Sequence, residues 1–165
     1  MKNLWKGLDA LEIKANNPVD LVREQADFLS EGTDDILMLE VAEVNRIGTK
    51  TREVLQEIGI EAQFTYRVAL ASTYLRDYAY NIFTFFYDIT FYPMLVSVPK
   101  EIGTEVEKIT DKLEPVDETV SRMYFKVSEE EAFETFMADV FNSENARMIM
   151  TNLKAIVSNT VSMEE

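Results

Sequence analysis

The chain has 165 residues, no cysteine and no histidine, and thirty acids against sixteen bases, for a formal net charge of −14. That length suits a single domain burying roughly 70% of its unfolded surface, and the missing residue types exclude disulfides, thiolate nucleophiles, sulfur- or imidazole-ligated zinc, and Ser-His-Asp or Cys-His catalysis. The charge argues against direct nucleic-acid binding, which needs a basic footprint, but it can draw in a basic protein partner.

Residues 4–15 carry Leu4, Leu8 and Leu11 at helical spacing and Leu11, Ile13 and Ala15 at strand spacing, which leaves the local state open. Trp5 is the expected anchor of this arm to the core. Asp9 and Glu12 interrupt what would be the apolar region of a signal peptide, so none is expected. A firm helix follows over Pro18 to Ser30. Asn17 is placed as N-cap, Pro18 suits the first position, Asp20 complements the helix dipole, and Val19, Val22, Ala26 and Leu29 share one face before Gly32.

Ile36 to Ile47 reads as a strand through Leu37, Leu39 and Val41. The rival is a continuous helix from Thr33 to Ile58, in which Gly48 costs about 1 kcal/mol relative to Ala. Thr51 to Ile58 is left between a helical turn ended by Gly59 and a short strand. Phe64, Tyr66, Val68 and Leu70 alternate with Thr65, Arg67, Ala69 and Ala71 as a half-buried strand.

The next strand is the most informative stretch, since eight of the fifteen residues from Tyr78 to Tyr92 are aromatic and Asp88 is the one charge between Tyr78 and Pro99. Its period is two. Phe83, Phe85, Tyr87, Ile89 and Phe91 form an apolar face, while Tyr78, Tyr80, Thr84, Phe86, Asp88, Thr90 and Tyr92 form a mixed one. An antiparallel hairpin with the preceding strand puts the apolar faces together only in registers such as Val68 opposite Phe83, Tyr66 opposite Phe85 and Phe64 opposite Tyr87. The period, the Asp and Pro93 also argue against a membrane span. Met94 to Val98, between Pro93 and Pro99, is expected as a short strand near an edge.

Lys100 to Val120 holds seven acids and three bases and reads as a surface helix or a mobile excursion. Arg122 to Val127 is a strand. Ser128 and Glu131 have capping-box spacing ahead of a helix whose buried stripe is Phe133, Phe136, Met137, Val140 and Phe141, and a second helix with Ile149, Leu153 and Ile156 runs to about Thr160. The fold class expected is α+β, a single domain over residues 1–165, with an antiparallel sheet packed against an N-terminal helix and two C-terminal helices.

Chemical motifs are few. The five glycines never occur as GxG or beside a GK pair, so phosphate-cradling loops of the P-loop or Rossmann kind are not expected, and no serine sits in a GxSxG elbow. Asp34-Asp35 reads as turn chemistry and Glu129 to Glu131 as helix-dipole complements. Glu105 with Glu107 and the lone Asp88 complete the acids that a metal site would draw on. No catalytic residue, metal or cofactor is expected.

What stands out is the mixed face of the aromatic strand, read as a tyrosine-rich recognition surface of Tyr80, Asp88 and Tyr92, with Arg67 and Arg76 as partners for Asp88 or for a ligand. The functional expectation is a non-enzymatic, cytoplasmic binding or regulatory protein that works through contacts with a protein partner, a basic one being compatible with the charge, and with no direct nucleic-acid or membrane contact. Two alternatives are an acidic inhibitor occupying a basic nucleic-acid-binding groove of a partner, which needs carboxylates gathered on one face, and a carboxylate-metal phosphoesterase, which needs three or four acids converging in a pocket. No stretch of the chain resembles a named family.

Overall fold

The structure is a computed structural model that describes the backbone of residues 1–164 and the side-chain surroundings of residues 1–159. Its elements in chain order are α1 (Pro18–Gly32), β1 (Leu37–Glu43), α2 (Thr49–Ile58), β2 (Phe64–Ser72), β3 (Leu75–Tyr87), β4 (Met94–Pro99), α3 (Lys100–Ile109), β5 (Glu114–Glu118), β6 (Arg122–Val127), α4 (Glu130–Phe141) and α5 (Glu144–Glu164). The six strands make one antiparallel sheet in the order β1-β2-β3-β4-β6-β5. The α+β reading holds.

Each face of the sheet is covered by helix. On one side Val19 and Val22 of α1, Ile102 and Val106 of α3, Phe133, Phe136 and Val140 of α4 and Leu153 of α5 pack on Val68, Phe83, Phe85, Val96 and Phe125. On the other, Val54 and Leu55 of α2 pack with Ile60 on Phe86, Leu95 and Tyr124. This second cover explains β4, all six of whose residues are buried, because a strand with both faces covered has no polar side to alternate with.

The predicted hairpin register is the observed one: Val68 lies opposite Phe83, Tyr66 opposite Phe85 and Phe64 opposite Tyr87. Ring centroids of Phe64 and Tyr87 are 5.2 Å apart and those of Tyr66 and Phe85 5.5 Å, both stacked, and such cross-strand pairs contribute about 0.2–1 kcal/mol each.

The strand reading of residues 36–47 holds as β1 against the rival continuous helix, and the segment left open between a helical turn and a strand is α2, closed by Gly59 at φ 75° in the left-handed region open to glycine. Other local expectations are corrected. β4 lies in the sheet interior between β3 and β6; its flanking prolines mark the strand's ends, where they remove no interior ladder bond. Asn17 precedes α1 but its side chain does not cap it, since Oδ1 accepts the Tyr87 hydroxyl instead. The capping box at Ser128 does not form, because α4 starts after Glu129 without a side-chain cap. Residues 100–120 hold α3 and β5, and Ile102, Gly103 and Val106 of α3 are buried.

Candidate functional site

The mixed face of the aromatic strand does not survive as one surface. Between Val68 and Ala69 the register slips, so that Phe83 faces Val68 while Asn81 faces Ala69, and Ile82 is the extra residue of a β-bulge. Ile82 and Phe83 both end up in the large core. Beyond the bulge the parity is reversed, and Tyr80 stands opposite Leu70 on the large-core side. Below it the predicted alternation holds, but the even side is roofed by α2: Phe86 is buried in the second core.

The five predicted site residues therefore go to different places. Tyr80 is half-buried, donates its hydroxyl to Glu101 Oε1 at 2.8 Å, and has its pKa pushed up to about 12 by burial first and by that hydrogen bond second. Tyr92 packs against the large core; its hydroxyl is buried with no hydrogen-bond partner in the described structure, and burial, then the charges of Glu130 and Glu134, raise its pKa. Asp88 leaves the sheet and organises a turn, its Oδ1 accepting the Ile89 N–H at 2.6 Å and its carbonyl the Phe91 N–H at 2.8 Å. Arg76 is exposed in the β2–β3 hairpin beside Leu75, Tyr78 and Asn152. Arg67 lies on the α2 side, next to Thr84. Neither arginine pairs with Asp88 among the described residues.

The acids singled out by sequence have local jobs. Asp34 and Asp35 sit at φ 50° and 62° in the turn after α1, a conformation Asp tolerates better than most residues. Glu105 caps α5 from α3, its carboxylate accepting the Glu144 N–H at 2.9 Å and the Asn145 N–H at 3.4 Å, with the buried Ser143 hydroxyl accepting the Ala146 N–H at 3.2 Å. Glu131 forms an exposed ion pair with Lys112 at 2.7 Å. Among the described residues no group of three or more Asp or Glu is arranged to hold a metal ion, the geometry a carboxylate-metal phosphoesterase would require. No described helix is long and apolar enough to cross a membrane.

One surface was misjudged from sequence. Trp5 anchors nothing: it is 75% exposed, and Leu4, Leu8, Leu11 and Ile13 (95% exposed) stand out with it on an arm whose only regular element is a 3-10 turn at Leu8–Ala10. The arm is tied down at its far end, where Asn16 donates from its backbone and side chain to Glu130. The mixed helix and strand spacing of residues 4–15 was the available signal, since a segment that commits to neither period has no fixed apolar face to give the core. Elsewhere, an apolar cleft of about 220 Å³ opens between α1 and α5 over Phe28, Leu29, Leu70 and Met150.

No protein-family model matches this chain, and comparison with curated proteins and with solved structures gives no match either.

Proposed function

We propose that this protein is a non-enzymatic binding protein that works through protein–protein contacts, with the arm of residues 1–16 as its docking element. The observation that carries the reading is the row of large apolar side chains, Leu4, Trp5, Leu8, Leu11 and Ile13, held in solvent on one short segment. Isolated exposed apolar residues are ordinary, but a contiguous set marks an interaction site, and Trp is among the residues enriched at the energetic centres of interfaces. The charge of the arm differs from that of the body. Three of the sixteen cations but only two of the thirty acids lie in it, at Lys2, Lys6, Lys14, Asp9 and Glu12, so the partner surface is expected to be an apolar groove with acidic margins.

The test is site-specific photo-crosslinking in the cell of origin. A photoreactive residue at position 5 or 8 should give a discrete protein adduct that is missing when the same residue stands at the exposed Thr73. Equal or absent adduct formation at all three positions would refute the arm as a docking element.

A further inference from the structure

A second feature, independent of the arm, lies on the α2 side of the sheet. The strand register sets Arg67 of β2 beside Thr84 of β3, and Thr84 beside Ser97 of β4. From β6, Arg122 reaches across to Ser97, its Nε donating to the hydroxyl oxygen at 2.7 Å and its Nη2 to the backbone carbonyl at 3.0 Å. Arg46, on the connection from β1 to α2, and the start of α2 at Gly48 and Thr51 complete the wall of a cavity of about 200 Å³.

That wall is lined by three arginines and no acidic residue, in a chain where acids outnumber bases by nearly two to one. Four of the sixteen cations, Arg23, Lys50, Lys100 and Lys112, form ion pairs among the described residues, and none of the four lines this wall. The side chains of Arg46 and Arg67 make no ion pair or hydrogen bond among the described residues. Arg122 is half-buried, and burial, the largest influence, lowers its pKa; its side-chain bonds go only to the uncharged Ser97. Glu101 acts on it from a distance without forming an ion pair and is itself held by the Tyr80 hydroxyl. Partly desolvated positive charge without a counter-charge is costly, and an anion in the cavity removes that cost.

The remaining polar groups on the wall can donate, while Val44, Ile47 and Phe86 make its apolar part. Thr84 makes no side-chain hydrogen bond among the described residues, and the Ser97 hydroxyl accepts from Arg122 while its own proton is uncommitted. At α2, a ten-residue helix, the N-cap is Gly48, which offers no side chain to the first-turn N–H groups. Those groups, with the positive end of the helix dipole, add to the cationic field at the rim.

We propose that this cavity binds the phosphate group of a phosphomonoester, gripped by Arg46, Arg67 and Arg122 with Thr84 and the first turn of α2 as further donors. A carboxylate has one charge and two oxygens, which a single guanidinium fork satisfies; three guanidiniums match a dianion with three terminal oxygens. The volume encloses the phosphate and little more, since sites for whole small ligands run from about 300 Å³ upward. The rest of the ligand, whether a small metabolite or a phosphorylated side chain of a protein, lies outside the cavity.

The experiment is calorimetric titration of the full chain at low ionic strength with inorganic phosphate, acetate, glycerol 3-phosphate, and a phosphoserine peptide beside its unphosphorylated form. Phosphate is expected to bind one-to-one and roughly tenfold or more tighter than acetate. Arg46→Gln and Arg67→Gln, both at exposed positions and with folding checked by circular dichroism, should each weaken binding roughly tenfold. Whichever of glycerol 3-phosphate and the phosphopeptide binds more tightly than inorganic phosphate identifies the source. The proposal is overturned by no saturable phosphate binding up to about 10 mM, by acetate binding as well as phosphate, or by an Arg46→Gln/Arg67→Gln double variant that binds phosphate like the parent chain.

Discussion

Truncating one aromatic on each side of β3 separates a sheet with two covers from a sheet with one. Phe83 is fully buried in the large core, with ring centroids of Phe136 at 5.2 Å edge-on, Phe85 at 5.8 Å, Phe141 at 6.2 Å and Phe133 at 6.5 Å. Phe→Ala in a core costs about 3–5 kcal/mol, and the spread depends on how well the surroundings collapse into the gap. Three of these rings also pack on one another, Phe85 on Phe133 and Phe133 on Phe136, and cannot shrink the hole without giving up their own geometry, and each lost aromatic pair is worth about 0.5–1.5 kcal/mol. Phe83→Ala is therefore expected near the top of the range, about 5 kcal/mol.

Phe86, three residues on, points the other way into a smaller cluster with Val54, Leu55, Ile60, Leu95 and Tyr124 and has no close ring pair. Phe86→Ala is expected at about 3 kcal/mol. The two side chains lie on opposite faces, so the double variant should be additive to within about 0.5 kcal/mol. Urea unfolding followed by circular dichroism, with unchanged m-values, reads all three. If Phe83→Ala leaves too little folded protein, Phe83→Leu, expected to cost about 1–2 kcal/mol, replaces it. A cost below about 1 kcal/mol for Phe86→Ala would mean that α2 does not seal the second face, and the two-cover account of β4 would go with it.

Other perturbations probe single contacts. A Cβ at Gly103 would meet Met123 Sδ at 2.7 Å, Met123 Cβ at 2.9 Å and Val98 Cγ2 at 2.9 Å, so Gly103→Ala should lower stability by about 1–3 kcal/mol even though alanine favours a helix interior; a rise in melting temperature would contradict that packing. Glu105→Ala removes the cap on α5 and should cost about 1 kcal/mol, with faster hydrogen exchange at Glu144 and Asn145 as the local readout. Asp139 has its pKa raised by burial, and its Oδ2 is buried without a partner in the described structure. The folded state then favours the protonated carboxyl, so this group's contribution is fully present below its unfolded pKa and is lost as pH rises through its folded pKa. Asp139→Asn should stabilise the protein at neutral pH and gain nothing at pH about 3, and equal effects at both would disprove the burial account.

What was legible in the sequence is what local pattern controls. Strand period and the face-matching register placed Phe64, Tyr66 and Val68 of β2 opposite Tyr87, Phe85 and Phe83 of β3, because a one-residue slip would have exposed one strand's apolar face; the continuation of that strand to Tyr92 is not observed, since β3 ends at Tyr87 and Ile89 is exposed. The bulge at Ile82 was not legible, since an extra buried isoleucine reads as one more apolar residue in an aromatic run. That one residue reverses the parity of Tyr80 and divides the predicted recognition face. The roof over Phe86 was equally hidden, because α2 is short and polar and only the folded chain shows which face it covers. Trp5 was misassigned for a related reason: composition says that an indole prefers burial, but a fixed apolar stripe is needed to place one.

The arginine cavity shows the same limit from the side of charge. Arg46, Arg67 and Arg122 are far apart in sequence, and of the three the sequence singles out only Arg67, as a partner for Asp88 or for a ligand. Their meeting depends on cross-strand register, which lines up Arg67, Thr84, Ser97 and Tyr124 across four strands, and on α2, whose Thr51 hydroxyl is 3.0 Å from that of Tyr124. Among the described residues only Arg23, Lys50, Lys100 and Lys112 form ion pairs, so a missing counter-charge alone singles out no arginine. What carries information is convergence: three arginines from distant parts of the chain line one wall that holds no acidic residue in a chain of net charge −14, and a bound dianion supplies the balance that the chain itself withholds.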